Sequence, residues 1–140
     1  PLTQTKNENR KETPGTDNIQ TGTLLIAEDE MSNYQYLLEI LEEKGLKIIH
    51  AQNGKQAVEI CLKDQSVGLV LMDIKMPVMD GHEAATSIKA IRSGLPIIAQ
   101  TAYALSHEIE KYKAVFDDYI TKPIDEKELL KIIEKYFSPV

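Results

Sequence analysis

The chain has 140 residues, 42% of them apolar, and carries 16 Lys and Arg against 22 Asp and Glu, a net charge of −6. That is enough for one domain with a sizeable core, and the acidic balance argues against nucleic acid or anionic lipid as a partner, both of which need a basic face. A single cysteine, Cys61, excludes an intrachain disulfide framework and a multi-cysteine zinc site, and no apolar run is long enough to span a bilayer.

Residues 1–22 are polar, with Lys6, Arg10 and Lys11 balanced by Glu8, Glu12 and Asp17, so the whole charge excess lies in residues 23–140. Such a stretch buries too little surface to offset its ordering entropy, and it is read as a flexible linker or an expression remnant ahead of a domain at 23–140. The polar start has no signal-sequence pattern, so a cytoplasmic setting is expected.

From Thr23 onward, short apolar runs alternate with helical patterns. Leu24–Ala27 reads as a strand stopped by Glu28, Asp29 and Glu30. Tyr34, Leu37, Leu38, Ile40 and Leu41 follow at helical spacing, with Ser32 or Asp29 as a start and Gly45 after the end. Leu46, Ile48 and Ile49 form a second strand. Asn53 caps a helix carrying Ala57, Val58 and Cys61. Val67 and Leu69–Met72 form a third strand ending at Asp73. A loop with Pro77 and Asp80-Gly81 leads to a helix with Ala84, Ala85, Ile88 and Ile91, closed by Gly94. Ile97–Ala99 form a fourth strand, followed by a fourth helix around Leu105, Ile109 and Tyr112. Tyr119 and Ile120 form a fifth strand, and a fifth helix begins at Asp125 and carries Leu129, Leu130, Ile132, Ile133 and Phe137.

Five strand–helix units in this order predict an α/β fold with a parallel sheet and helices on both faces. Ligands in such folds bind outside the carboxyl ends of the strands. The informative residues are therefore Glu28, Asp29 and Glu30 after the first strand, Asp73 after the third, Thr101 after the fourth and Lys122 after the fifth. Carboxylates that converge repel one another by about 4 kcal/mol at 4 Å and an effective dielectric near 20, so a cation is expected among them. Oxygen donors alone suit Mg²⁺, with Mn²⁺ as a substitute. Metal, the Lys122 ammonium and the Thr101 hydroxyl together could hold a phosphoryl group, with one carboxylate as nucleophile. Charge alone does not choose it. Asp73 is favoured because it ends the most apolar strand and has no acidic neighbour, whereas Glu28 and Asp29 read as a metal-holding pair, Asp29 directly and Glu28 through water.

Four segments resemble the receiver domain of two-component response regulators: Leu25-Ile26-Ala27-Glu28-Asp29-Glu30, Leu71 to Gly81, Pro96 to Ala102, and Asp118-Tyr119-Ile120-Thr121-Lys122-Pro123-Ile124. The resemblance covers residues 23–137 and implies a doubly wound, flavodoxin-like (CheY-like) sheet of strand order 2-1-3-4-5. It implies that Asp73 accepts phosphate from a phosphohistidine on a histidine kinase or histidine phosphotransfer domain. Asp29, Asp73 and the backbone carbonyl of Lys75 would ligate Mg²⁺, Lys122 would pair with phosphoryl oxygens, and Thr101 and Tyr119 would switch the surface of the fourth helix, fifth strand and fifth helix. The Lys122–Pro123 bond would be cis. A monomer or weak dimer is expected, without direct nucleic-acid or membrane contact by this segment, as the acidic balance already argues.

Three positions depart from the pattern: Glu28-Asp29 stands for Asp-Asp, Val115 for a glycine after the fourth helix, and Gln100 for an apolar residue before the threonine. An aspartate-nucleophile phosphatase would need a second aspartate two residues after the nucleophile, where this chain has Lys75. A degenerate receiver acting only as a binding module is disfavoured by the presence of Glu28, Asp29, Asp73, Thr101 and Lys122. Neither G-x-G-x-x-G nor the Walker A pattern occurs. The polar lead-in and the Glu-Asp-Glu and Gln-Thr-Ala-Tyr variants point to the receiver of a hybrid sensor histidine kinase over a stand-alone regulator. Such a domain assists its own phosphorylation and dephosphorylation. The three histidines show no ligand spacing and read as surface residues, and Cys61 reads as a small apolar residue on a helix face.

Overall fold

The computed structural model describes residues 22–102, 110 and 113–137. Its strands are β1 (Thr23–Ala27), β2 (Lys47–Ala51), β3 (Val67–Asp73), β4 (Ile97–Thr101) and β5 (Asp118–Thr121). Its helices are α1 (Met31–Leu41), α2 (Gly54–Lys63), α3 (Gly81–Ile91) and α4 (Glu126–Tyr136). The helix expected around Leu105, Ile109 and Tyr112 lies outside the described residues, as do residues 1–21, so α4 is the fifth helix of the sequence reading.

All strand pairs are parallel, in the order β2-β1-β3-β4-β5. The most apolar strand, β3, is central. Both faces of the sheet are covered, which is why β1, β3 and β4 are near-continuous apolar runs. Alternate residues serve opposite sides. Leu25, Ala27, Val70, Met72, Ile97 and Ala99 pack with Ala57, Cys61, Ala84 and Ile88. Leu24, Ile26, Leu69, Leu71 and Ile98 pack with Leu37, Leu41, Leu129 and Ile133. The chain steps one way from β1 to β2 and the other way from β2 onward. Right-handed crossovers then place α1 on the face opposite α2 and α3, and α4 shares the α1 face.

Local chemistry sets the helix starts. Asn53, Asp80 and Asp125 accept from the backbone N–H of Gln56 (2.9 Å), Glu83 (2.9 Å) and Glu128 (3.0 Å), the N-caps of α2, α3 and α4. Two expected boundaries differ. The N-cap residue of α1 is Glu30, without a side-chain cap, rather than Asp29 or Ser32. Helix α3 stops at Arg92, ahead of Gly94. The Arg92 guanidinium reaches across to the carbonyls of Cys61 (3.3 Å), Asp64 (3.5 Å), Gln65 (3.4 Å) and Val67 (2.9 Å). One side chain thereby satisfies the orphan carbonyls at the end of α2 and ties them to the start of β3.

Candidate functional site

The strand order reverses between β1 and β3, so a crevice opens where their carboxyl ends diverge. Glu28 and Asp29 leave β1 there, and Asp73 ends β3. One carboxylate oxygen from each of the three lies within 4.8 Å of the others. Glu28 is fully buried, Asp73 is 5% exposed and Asp29 is exposed.

Neighbouring backbone fixes each position. The Glu28 N–H donates to the carbonyl of Ala51 (3.0 Å), and its own carbonyl lies 2.8 Å from Nε2 of His50. The His50 ring in turn stacks on Tyr34 at 3.7 Å between centroids. This histidine, expected as a plain surface residue, is half-buried and holds the backbone at Glu28 in place. Lys122 is set by its N–H donating to the carbonyl of Thr101 (2.9 Å). Its ammonium donates to Oδ2 of Asp73 (3.1 Å) and stands 3.7 Å from Oε1 of Glu28. Thr101 is buried at the end of β4. Tyr119 is half-buried on β5 against Phe116, with ring centroids 6.4 Å apart. The Lys122–Pro123 bond is cis.

The loop from β3 to α3 carries Lys75, whose N–H faces Oδ1 of Asp73 at 3.4 Å. Asp29, Ile74, Lys75, Met76, Pro77 and Asp80 line an open depression beside the carboxylates. Two glycines pin this loop. Gly81 donates to the carbonyl of Ile74 (2.8 Å) and Gly54 to that of Met79 (3.1 Å). A Cβ at either glycine would stand 2.3 Å from a backbone oxygen, of Asp73 and Met79 respectively, so only glycine allows these approaches. Between the pins Val78 adopts φ 70°, and Met79 N–H donates to the Pro77 carbonyl at 2.7 Å. That is a left-handed γ-turn on a β-branched residue, a strained conformation. Among the described residues Val78 is the non-glycine residue with positive φ. Val115, which stands where the family has glycine, does not have one.

The electrostatics are those of a site with too little positive charge. Burial, and then the Asp73 carboxylate, push the Glu28 carboxyl up to about 7. Burial opposes the charged form of Lys122, but Asp73 and Glu28 outweigh it and hold the ammonium above the usual lysine range. Oε1 of Glu28 is buried without a hydrogen-bond partner. Three carboxylates facing one ammonium, with an orphan oxygen among them, fit a hard divalent cation bound through oxygen. No histidine joins the cluster among the described residues. The sequence pointed to the carboxylates, Lys122 and Thr101, and the fold brings them to one edge. It gave no weight to His50, Gly54 or Val78. The Asn53-Gly54 pair was the available signal for the second of these, and it was read only as a cap.

A doubly wound five-stranded sheet with acids, a lysine and a threonine at its carboxyl edge defines the receiver class of α/β domains. The chain belongs to the response regulator receiver domain family, whose family model matches residues 24–134, and it is a receiver domain of two-component phosphorelay signalling. It is 36% identical over 119 residues to hybrid signal transduction histidine kinase I of Dictyostelium discoideum, covering 79% of this chain and 7% of that protein. The receiver domain of sensor histidine kinase PA1611 from Pseudomonas aeruginosa, solved with a magnesium ion in its active-site cleft, is 31% identical with a TM-score of 0.75, over 84% of this chain and 98% of that one. The Saccharomyces cerevisiae receiver domain of Ssk1, co-crystallised with the phosphotransfer protein Ypd1, matches with a TM-score of 0.82 at 27% identity, over 86% and 92% of the two chains. The chain spans 7% to 17% of the length of the first four curated relatives it matches. No helix among the described residues is long and apolar enough to cross a membrane.

Proposed function

We propose that Asp73 is the phosphoacceptor of a His-Asp relay. The observation that carries this is the placement of its carboxylate, nearly buried and 3.1 Å from the Lys122 ammonium, beside two further acids at the strand-order reversal. An Asp73 carboxylate oxygen attacks the phosphorus of a phosphohistidine, the N–P bond breaks, and the imidazole leaves with the bonding pair and takes up a proton. The product is an aspartyl phosphate. Lys122 stays protonated and pairs with the phosphoryl oxygens, and the Thr101 hydroxyl donates to them. Glu28, Asp29, Asp73 and the Lys75 carbonyl would hold Mg²⁺, or Mn²⁺ in its place. The ion, when bound, supplies charge neutralisation at the phosphoryl oxygens. Thr101 and Tyr119 carry the change outward to β5, α4 and the segment before β5.

The donor is a histidine kinase or a histidine phosphotransfer domain, and the parent is a hybrid sensor histidine kinase, a reading supported by the 36% identity to the Dictyostelium hybrid signal transduction histidine kinase. Residues 23–140 form the receiver and residues 1–22 a linker, in a cytoplasmic setting. The test is labelling by a small phosphodonor such as acetyl phosphate, with and without Mg²⁺. Mg²⁺-dependent labelling that disappears in Asp73→Ala is the expected result. Label that persists in that variant overturns the assignment.

A further inference from the structure

The acidic turn that leaves β1 is tied down at Glu28 and Glu30 and not at Asp29 between them. The Glu28 backbone N–H donates to the Ala51 carbonyl (3.0 Å). The Glu30 N–H donates to Oε2 of Glu28 (3.2 Å), and the Glu30 carbonyl accepts from the Tyr34 N–H (3.0 Å), which closes the first turn of α1. Asp73 across the crevice is likewise held, by the Lys122 ammonium at 3.1 Å. Asp29 is exposed, and among the described residues no hydrogen bond or ion pair holds its carboxylate.

What aims Asp29 is therefore the peptide unit in front of it. The Glu28 carbonyl and the Asp29 N–H lie in one plane, because the bond that joins them is rigid. Nε2 of His50 stands 2.8 Å from that carbonyl. A carbonyl oxygen only accepts, so Nε2 carries a proton and donates it. The ring is itself fixed, stacked on Tyr34 with the two planes 8° apart. Without this donor the peptide plane could turn between its two Cα atoms. The Asp29 carboxylate would then swing out of its 4.8 Å grouping with Glu28 and Asp73.

We propose that His50 is a positioning residue for the metal. Through the Glu28–Asp29 peptide it aims the Asp29 carboxylate at the site that Glu28 and Asp73 form, and so sets the affinity for Mg²⁺. The inference rests on the reading of these acids as the Mg²⁺ site. It deepens that reading by assigning the order of the site to a side chain on β2, backed by Tyr34 of α1. Groups that orient metal ligands from behind typically change metal affinity 10–100-fold when removed.

The test uses the ¹⁵N-labelled 140-residue chain, first in chelator and then titrated with Mg²⁺ alone. His50→Phe keeps a ring against Tyr34 and loses the donor, whereas His50→Gln keeps a donor without the ring. In chelator, the imidazole ¹⁵N spectrum of the native chain should show the proton on Nε2. The Asp29 amide resonance should be displaced in His50→Phe and return toward its native position in His50→Gln. On titration, His50→Phe should bind Mg²⁺ about tenfold more weakly than the native chain. His50→Gln should recover most of that factor, with thermal melts of both variants close to native. An Asp29 resonance unmoved in His50→Phe overturns the proposal without any metal. Unchanged Mg²⁺ affinity in His50→Phe also overturns it, while leaving the metal site standing. A loss shared equally by both variants would mean that His50 acts by packing alone, and the proposal fails. A native chain that binds no Mg²⁺ sinks the metal reading of the acids and this inference with it.

Discussion

The ammonium of Lys122 lies 3.1 Å from Oδ2 of Asp73, joining the residue after β5 to the residue that ends β3, 49 positions away in the chain. The pair is largely shielded, with side-chain exposures of 25% and 7%. With its longer approach to Glu28 at 3.7 Å, this pair places one ammonium among acids that otherwise repel one another, so Lys122 both holds the site together and stands ready for the group that arrives there.

Replacing Lys122 with methionine removes the cation and leaves three acids facing one another. Removing one partner of a shielded pair costs about 1–3 kcal/mol, so chemical denaturation should show a loss of that order in metal-free protein. Amide spectra recorded before and after phosphodonor treatment should lack the displacement of β5 and α4 resonances that is expected of the native chain. An unchanged spectral response in the variant would remove Lys122 from the switch.

Glu28 predicts a pH dependence with a definite sign. Its folded-state value near 7 lies above the ordinary 4.5. Below both values it is protonated folded or unfolded and has no effect. Between them the unfolded chain has released its proton and the folded chain has not, so metal-free stability falls as pH rises through that window. The fall is complete above about pH 7 and amounts to at most about 3 kcal/mol. Thermal melts in chelator should show it, and Glu28→Gln should flatten it. Mg²⁺ should therefore raise the melting temperature more at pH 8 than at pH 5.5, and equal increments at the two pH values would contradict this account.

Val78 stores strain in the loop that carries Lys75. Its φ of 70° costs a β-branched residue about 1–3 kcal/mol, and glycine, without a Cβ, escapes that cost. With Val78 76% exposed, the change sacrifices little packing. Val78→Gly should raise stability by about 1 kcal/mol in denaturant titration, and a lower stability would show that the turn is relaxed.

Arg92 acts at the opposite end of the sheet from the acids. Arg92→Lys keeps the charge but loses the planar fork that reaches four carbonyls. A loss of about 2 kcal/mol is expected, while Mg²⁺-dependent labelling of Asp73 per folded molecule stays at the native level. A loss confined to labelling, with stability unchanged, would mean that this clamp reaches the site after all.

Much of the fold was legible because its causes are local. Apolar runs too continuous for a one-sided sheet marked β1, β3 and β4, and Asn53 and Asp125 marked helix starts by side chains that accept from N–H groups three residues on; Asp80, read as part of a turn, does the same for α3. The start of α1 was misplaced because no side chain caps it. The end of α3 was misplaced because a tertiary clamp by Arg92 closes off the adjoining α2 end, and no glycine signal at Gly94 governs it. Asp73, Lys122, Thr101, Glu28 and Asp29 were legible as residues that follow strands, since a parallel sheet must bring its carboxyl ends to one edge.

By itself, then, the sequence determined the alternation of elements, the residues at the sheet's carboxyl edge and their chemical kind, because periodicity, capping and residue type act over a few positions. Only the tertiary structure decided how those groups meet. Burial and a neighbouring acid raise Glu28, the Asp73–Lys122 pair closes across 49 residues, Gly54 and Gly81 pin the loop that strains Val78, and Gln100 is buried with its amide unpaired. Those outcomes depend on distance and on exclusion of water between segments far apart in the chain, and neither quantity is encoded in any single stretch of it.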